Sequence, residues 1–238
     1  MGLPVRFLLL FAVFIPAITV AQPTTLSARV AITRNGRAVK DASQVVVWLT
    51  PLTGITTVPH QSPSDIPRMV QKNKKFVPSL VVVPVGGKVE FPNHDPFFHN
   101  VFSMFEGKRF DLGLYESGTT QWVKFDKPGI SYIFCNIHAQ MSAVVVAVNT
   151  PYYAISNTRG EVTLANVPPG RYRAEIFHPD VAPETLHTLT REITVNSHDN
   201  SIGLFQLAES DIEIAHHNKY GRDYDRPEPP DSPAYARP

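Results

Sequence analysis

A single cysteine stands among 238 residues. One thiol makes no internal disulfide, and it excludes a zinc or iron–sulfur centre built from several cysteines. Charge of one sign is equally scarce. The 22 lysines and arginines face 21 aspartates and glutamates, for a formal net charge of +1, so no basic field points to nucleic acid. Long hydrophobic runs are missing too. The apolar stretch 7–18 falls short of the ~20 residues that span a bilayer. It follows Arg6 and ends at Thr19-Val20-Ala21, with small residues where a signal peptidase reads. Residues 1–21 therefore read as a secretory signal peptide, cleaved before Gln22, with no membrane span after cleavage. The mature chain is expected in the periplasm. In that oxidising compartment a lone thiol is a liability unless something holds it, so Cys135 needs a purpose.

What the chain does have is β-branched residues in short bursts, divided by glycine and by 22 prolines. Residues 26–34 alternate and run into the turn signal Asn35-Gly36, and 44–50 form a second strand candidate. Residues 53–75, with Pro59, Pro63, Pro67 and the lysines 72, 74 and 75, read as a solvated loop. Strands are then expected at 79–83, 88–91, 98–103, 120–125, 130–135 and 142–148, a spacing typical of an all-β sandwich. Thr150-Pro151 reads as a domain boundary. Beyond it, strands are expected at 152–156, 161–164, 171–177, 187–195 and 201–207. This second segment is small for a core of its own and is expected to pack on the first. No amphipathic helix is expected before residue 208. Residues 209–214 are compatible with one helical turn, and the Pro-rich, acidic stretch 208–238 reads as an extended or disordered tail.

The chemistry concentrates in Cys135-Asn136-Ile137-His138-Ala139-Gln140-Met141. Thiolate, imidazole and thioether recur every third residue in a short loop between two expected strands, where all three can turn to one point. Soft sulfur donors with an imidazole suit copper in both oxidation states better than magnesium or calcium. Two histidines and a cysteine in a trigonal set, with a weak axial methionine, make the blue-copper arrangement. The loop supplies one histidine, so a second must come from upstream. His99 fits, because Val101 and Phe102 resume a strand just after it. His94, between Asn93 and Asp95-Pro96, reads as an exposed turn. An oxidase with several coppers needs His-x-His pairs. His216-His217 is no such pair, and His60, His178, His187 and His198 are scattered. The chain therefore reads as a copper carrier rather than an enzyme, with copper delivery, storage or sensing as the alternative.

Residues 76–148 resemble a cupredoxin domain. The resemblance is carried by Val85-Gly86-Gly87-Lys88-Val89-Glu90-Phe91, Asn93, Asp95, His99-Asn100-Val101, Asp126-Lys127-Pro128-Gly129 and Tyr132-Ile133-Phe134-Cys135. The spacing of Cys135, His138 and Met141 resembles the short ligand loop of amicyanin. Across 24–207 the text is similar to the cupredoxin-like methylamine utilization proteins, on His99-Asn100-Val101-Phe102-Ser103, Phe110-Asp111-Leu112-Gly113, Cys135-Asn136-Ile137-His138 and Val167-Pro168-Pro169-Gly170-Arg171-Tyr172. The resemblance implies a Greek-key β-sandwich over 22–149, with an N-terminal β extension at 22–75. A small sandwich similar to carboxypeptidase-regulatory or transthyretin-like domains would follow at 150–207. It implies one type 1 copper ion with His99, Cys135 and His138 as equatorial ligands and Met141 as the axial one. Asn100 would bond near the thiolate or tie the two ligand loops together. Redox partner proteins would dock near His138, beside Ile137, Ala139, Gln140, Pro96 and Phe97.

Overall fold

The computed structural model describes residues 22–53, 61–104, 107–196, 201–210 and 217–224. The expected signal peptide (1–21), most of the expected helical turn (211–214) and the tail from 225 onward lie outside the described residues. The strands are β1 (Thr24–Arg34), β2 (Arg37–Ala38), β3 (Val46–Pro51), β4 (Val70–Gln71), β5 (Phe76–Val77), β6 (Leu80–Pro84), β7 (Lys88–Pro92), β8 (His99–Ser103) and β9 (Phe110–Tyr115). They continue as β10 (Thr120–Lys124), β11 (Gly129–Phe134), β12 (Ser142–Val148), β13 (Tyr153–Ile155), β14 (Glu161–Val167), β15 (Gly170–Phe177), β16 (Arg191–Val195) and β17 (Ser201–Glu209), with one helix, α1 (Pro183–Leu189), between β15 and β16. Among the described residues the protein is all-β apart from α1 and a short 3-10 turn.

A five-stranded sheet, ordered β6-β12-β11-β8-β9, faces the β10-β7 pair. Between them lies a core of Val81, Val83, Val89, Phe91, Val101, Val123, Phe125, Ile133, Cys135, Met141, Val145 and others. The other face of β6 and β12 is buried as well. Leu80, Val82, Val144, Val146 and Val148 belong to a second core, shared with β1, β3, β14, β15 and β17. Strict alternation along these two strands thus feeds two cores. That is why their sequences, LVVVP and SAVVVAV, read as unbroken apolar runs. Each valine so buried contributes about 1.5–3 kcal/mol, so β6 and β12 form the wall that unites the two halves.

The second half takes its strands from both ends of the chain. Its sheets are β14-β1-β17, with β2 beside β1, and β13-β3-β15-β16. The N-terminal strands, expected to extend the first module, are therefore central strands of the second. β1 runs parallel to β17 and β3 sits between β13 and β15. The physical reason is size: the segment after 150 buries too little alone, and β1 and β3 supply its missing apolar faces. Gly160 makes one of these joints possible. Its φ is +71°, and a Cβ there would lie 2.1 Å from the Val30 carbonyl oxygen.

Two further elements differ from expectation. α1 occupies the start of the expected strand 187–195, which begins only at Arg191. Pro183 opens the helix, Glu184 suits its first turn, and Leu186 is its buried anchor. β9 forms where no strand was expected. It is a six-residue edge strand, mostly half-exposed, with Gly113 at φ +69°; the alternation of Phe110, Leu112 and Leu114 with Asp111 and Gly113 was a strand signal in the sequence.

His178, just after β15, is 5 % exposed. Burial holds its pKa below the ordinary 6.5, and Arg34 adds to this while Asp180 and Glu209 oppose it. The folded protein keeps this imidazole neutral, while the unfolded chain protonates it first. Its contribution to stability is therefore full above pH about 6.5 and declines as the pH falls below that. Denaturant titrations across this range should show a shallower pH slope for His178→Gln than for the wild type. An identical slope would contradict the assignment.

Candidate metal centre

His99 owes its position to the turn that precedes β8. The side-chain Oδ1 of Asn93 accepts the Asp95 N–H at 3.0 Å. The Asn93 amide donates to the carbonyls of Phe97 (2.9 Å) and Tyr115 (3.2 Å). This side-chain-built turn sends His99 inward, where it is fully buried. β8 and β11 meet at the Phe102–Phe134 pair and run antiparallel. Continuing that register carries His99 past the end of β11, beside the loop that starts at Cys135.

Asp95 fixes the His99 ring. Its Oδ2 accepts the His99 Nε2–H at 2.8 Å and the Lys74 N–H at 2.9 Å, while Oδ1 accepts the Asn73 N–H at 2.6 Å. Asn73 and Lys74 both have φ of +54°, which aims successive amides at one carboxylate. Burial pushes the Asp95 pKa up, but the bonds from Lys74, His99 and Asn73 outweigh it and hold the carboxyl below its ordinary range. A charged Asp95 keeps the His99 proton on Nε2. Nδ1, with a free lone pair, then faces the thiol, as in carboxylate–histidine–metal triads. The lysine-bearing stretch 72–75 thus does more than sit in solvent: it forms the β4–β5 turn that clasps this carboxylate.

The loop after β11 is closed by two backbone bonds. Cys135 N–H donates to the Met141 carbonyl (3.3 Å), and Met141 N–H donates to the His138 carbonyl (3.0 Å). Cys135 Sγ lies 3.7 Å from His99 Nδ1 and 3.7 Å from His138 Nδ1. The ligand atoms of His99, Cys135 and His138 lie within 4.8 Å of one another, and the two imidazole rings are 4.9 Å apart at their centroids. Met141 is buried in the same core cluster as Cys135. His138 is 5 % exposed. Burial first, then the nearby His99 and Lys74, lower its pKa from 6.5 to about 4, so it too is a neutral donor. One S–H proton cannot serve two imidazole nitrogens at once. An ion held at about 2.1 Å by nitrogen and about 2.3 Å by sulfur, at a trigonal angle, sets N and S about 3.8 Å apart. The two equal N–S separations fit a single metal ion.

The structure therefore brings together His99, Cys135 and His138, with Met141 buried beside them. His94 is exposed and takes no part. Asn100 departs from the expectation. Its amide donates to Asp111 Oδ1 (2.7 Å) and the Gly113 carbonyl (2.9 Å), tying β8 to β9, and it bonds to neither ligand loop directly. Asp95 was missed as a working residue, although its position four residues before His99 was available as a signal. Residues 217–224, expected to belong to a free tail, instead bond to the ligand loop. A second cluster, His178, Asp180 and Glu209, also gathers its ligand atoms within 4.8 Å. Arg34 neutralises Glu209 at 2.5 Å, and the Asp180 N–H occupies His178 Nδ1, so it reads as a closed structural network.

No family model matches the chain, and no curated protein matches it. Solved structures do resemble it. The similar structures include cupredoxins. The purple cupredoxin of Nitrosopumilus maritimus is 20% identical, over 34% of this chain and 99% of its own, with a TM-score of 0.32. A reduced amicyanin variant is 18% identical, over 39% of this chain and 97% of its own, with a TM-score of 0.34. The Cu-containing nitrite reductase of Thermus scotoductus SA-01 is 21% identical, with a TM-score of 0.34; the match spans 42% of this chain but only a quarter (25%) of the reductase.

Proposed function

We propose that this protein is a periplasmic one-electron carrier that holds a single type 1 copper ion through His99, Cys135, His138 and Met141. The observation that carries this reading is the pair of equal 3.7 Å separations from one thiol to two neutral imidazoles in a buried pocket. Thiolate, imidazole and thioether are the donors that copper favours in both oxidation states. Bound copper would supply the one-electron Cu(II)/Cu(I) couple. The chain supplies the frame. Asp95 locks the His99 ring, two backbone bonds lock the loop, and two packed cores keep water away. Such a fixed donor set changes little when an electron arrives or leaves, which suits a carrier better than a protein built to hand over its metal.

The ligand His138 is itself too buried to form the exit surface. Ile137 (42 % exposed), next to His138 in sequence, and Phe98 (56 %) and the exposed Pro96, just before His99, are the apolar residues that would form a docking face. The Phe97 ring lies 5.2 Å from the His99 ring and 5.8 Å from the His138 ring. A redox partner protein docking on this face would meet the centre through Phe97. A contact of this kind is small and transient. No nucleic-acid partner is expected.

Voltammetry of the copper-loaded protein should show a reversible couple, with negligible copper loss to a chelator during cycling. Free handover of copper without a reversible couple would make it a delivery protein instead. Met141→Leu should keep the visible thiolate-to-copper absorption. It should also raise the potential, because the axial donor that favours Cu(II) is gone. An unchanged potential would show that the thioether is not a ligand.

A further inference from the structure

Asn136, next to the ligand Cys135, and Asn100, next to the ligand His99, are joined by a part of the chain far from both in sequence. Asn100 donates to Asp111 Oδ1 (2.7 Å). Asp111 Oδ2 accepts the Lys219 ammonium (2.7 Å), and the Lys219 backbone N–H donates to Asn136 Oδ1 (2.9 Å). Five residues on, the Tyr224 hydroxyl donates to the carbonyl oxygen of Cys135 itself (2.9 Å). Between these anchors the segment folds on its own side chain: Asn218 Oδ1 accepts the N–H groups of Tyr220 and Arg222. Both anchors are shielded. The Lys219 side chain is 18% exposed, and Tyr224 is half-buried.

From this geometry we infer that residues 218–224 are a working part of the copper site, with Lys219 and Tyr224 as positioning residues for its ligands. The inference rests on the copper reading above. Lys219 bridges β9, which Asn100 ties to the strand that carries His99, to the loop that carries Cys135. Tyr224 pins the peptide of the ligand cysteine and keeps water from its carbonyl. Two backbone bonds, from the N–H groups of Cys135 and Met141, help to close the loop from within. The segment adds restraint from outside it, so ligand positions persist when the metal changes charge. The Tyr224 donor also draws electron density from the cysteine peptide, which favours the reduced ion.

The test uses the full chain with Tyr224→Phe, Lys219→Met and the double variant. Without metal, amide hydrogen exchange at Cys135 and Met141 should be faster in each. With copper, release to a chelator should be about fivefold faster in either single variant, the worth of one hydrogen bond. In the double variant it should be less than the product, because both anchors hold one segment. Tyr224→Phe should also lower the redox potential, a shift that a merely structural tail would not cause. Wild-type exchange at both amides, or a wild-type potential and release rate in Tyr224→Phe, would overturn the assignment. If the wild type binds no copper, the exchange measurement still decides the role of the segment, and the failure belongs to the copper reading alone.

Discussion

Cys135→Ser, incubated with Cu(II), should lack the intense visible absorption that the wild type develops. The band requires charge transfer from a thiolate to copper, and Cys135 is the one cysteine in the chain, so no other sulfur can replace it as thiolate. A serine hydroxyl stays protonated and is a poor ligand for soft copper. The substitution is nearly isosteric, and both His99 Nδ1 and His138 Nδ1 are at hand to accept the new O–H. With either imidazole able to accept the O–H after a small shift, the fold should survive at a cost in stability of about 1–3 kcal/mol. Absorption spectra and thermal melts on the same samples separate loss of the site from loss of the fold. A surviving band in a folded variant would refute Cys135 as a ligand.

Asp95→Ala should cost copper affinity about 10–100-fold. The carboxylate is the common acceptor for His99 Nε2–H and for the amides of Asn73 and Lys74. Without it the His99 ring is free to rotate and to place its proton on Nδ1, the nitrogen that faces Cys135. The β4–β5 turn also loses its anchor. Asp95→Asn should be intermediate, because an amide oxygen still accepts hydrogen bonds while the charge is gone. Competition titrations against a chelator of known affinity measure both. Wild-type affinity in Asp95→Ala would show that packing alone holds His99.

The clustering of the candidate site was legible because its chemistry is local. Cys135, His138 and Met141 fall in one loop, and the strand residues Val101 and Phe102 separate His99 from the exposed His94. The individual strands β6 and β12 were legible from their apolar runs. Their double role was not, since a run of valines does not say what covers each face. The partnership of β1 with β17 pairs residues such as Val30 and Phe205, far apart in sequence, and no turn signal connects them. α1 is short and has one buried residue, Leu186, too little for a helical period to emerge. Residues 217–224 are polar and stand in a Pro-rich stretch. Their meaning lies in contacts with Asn136 and Cys135 at separations of 83 and 89 residues, which local pattern does not reveal. Asn100 shows the same limit. The tie between the two ligand loops expected of it exists only through Asp111 and Lys219.

The most direct test is a titration of the metal-free, full-length protein with Cu(II), followed by visible absorption. Binding at His99, Cys135, His138 and Met141 predicts an intense thiolate-to-copper band that grows linearly and stops at one copper per chain. No band, or one that fails to saturate at a single equivalent, would contradict a blue-copper site here.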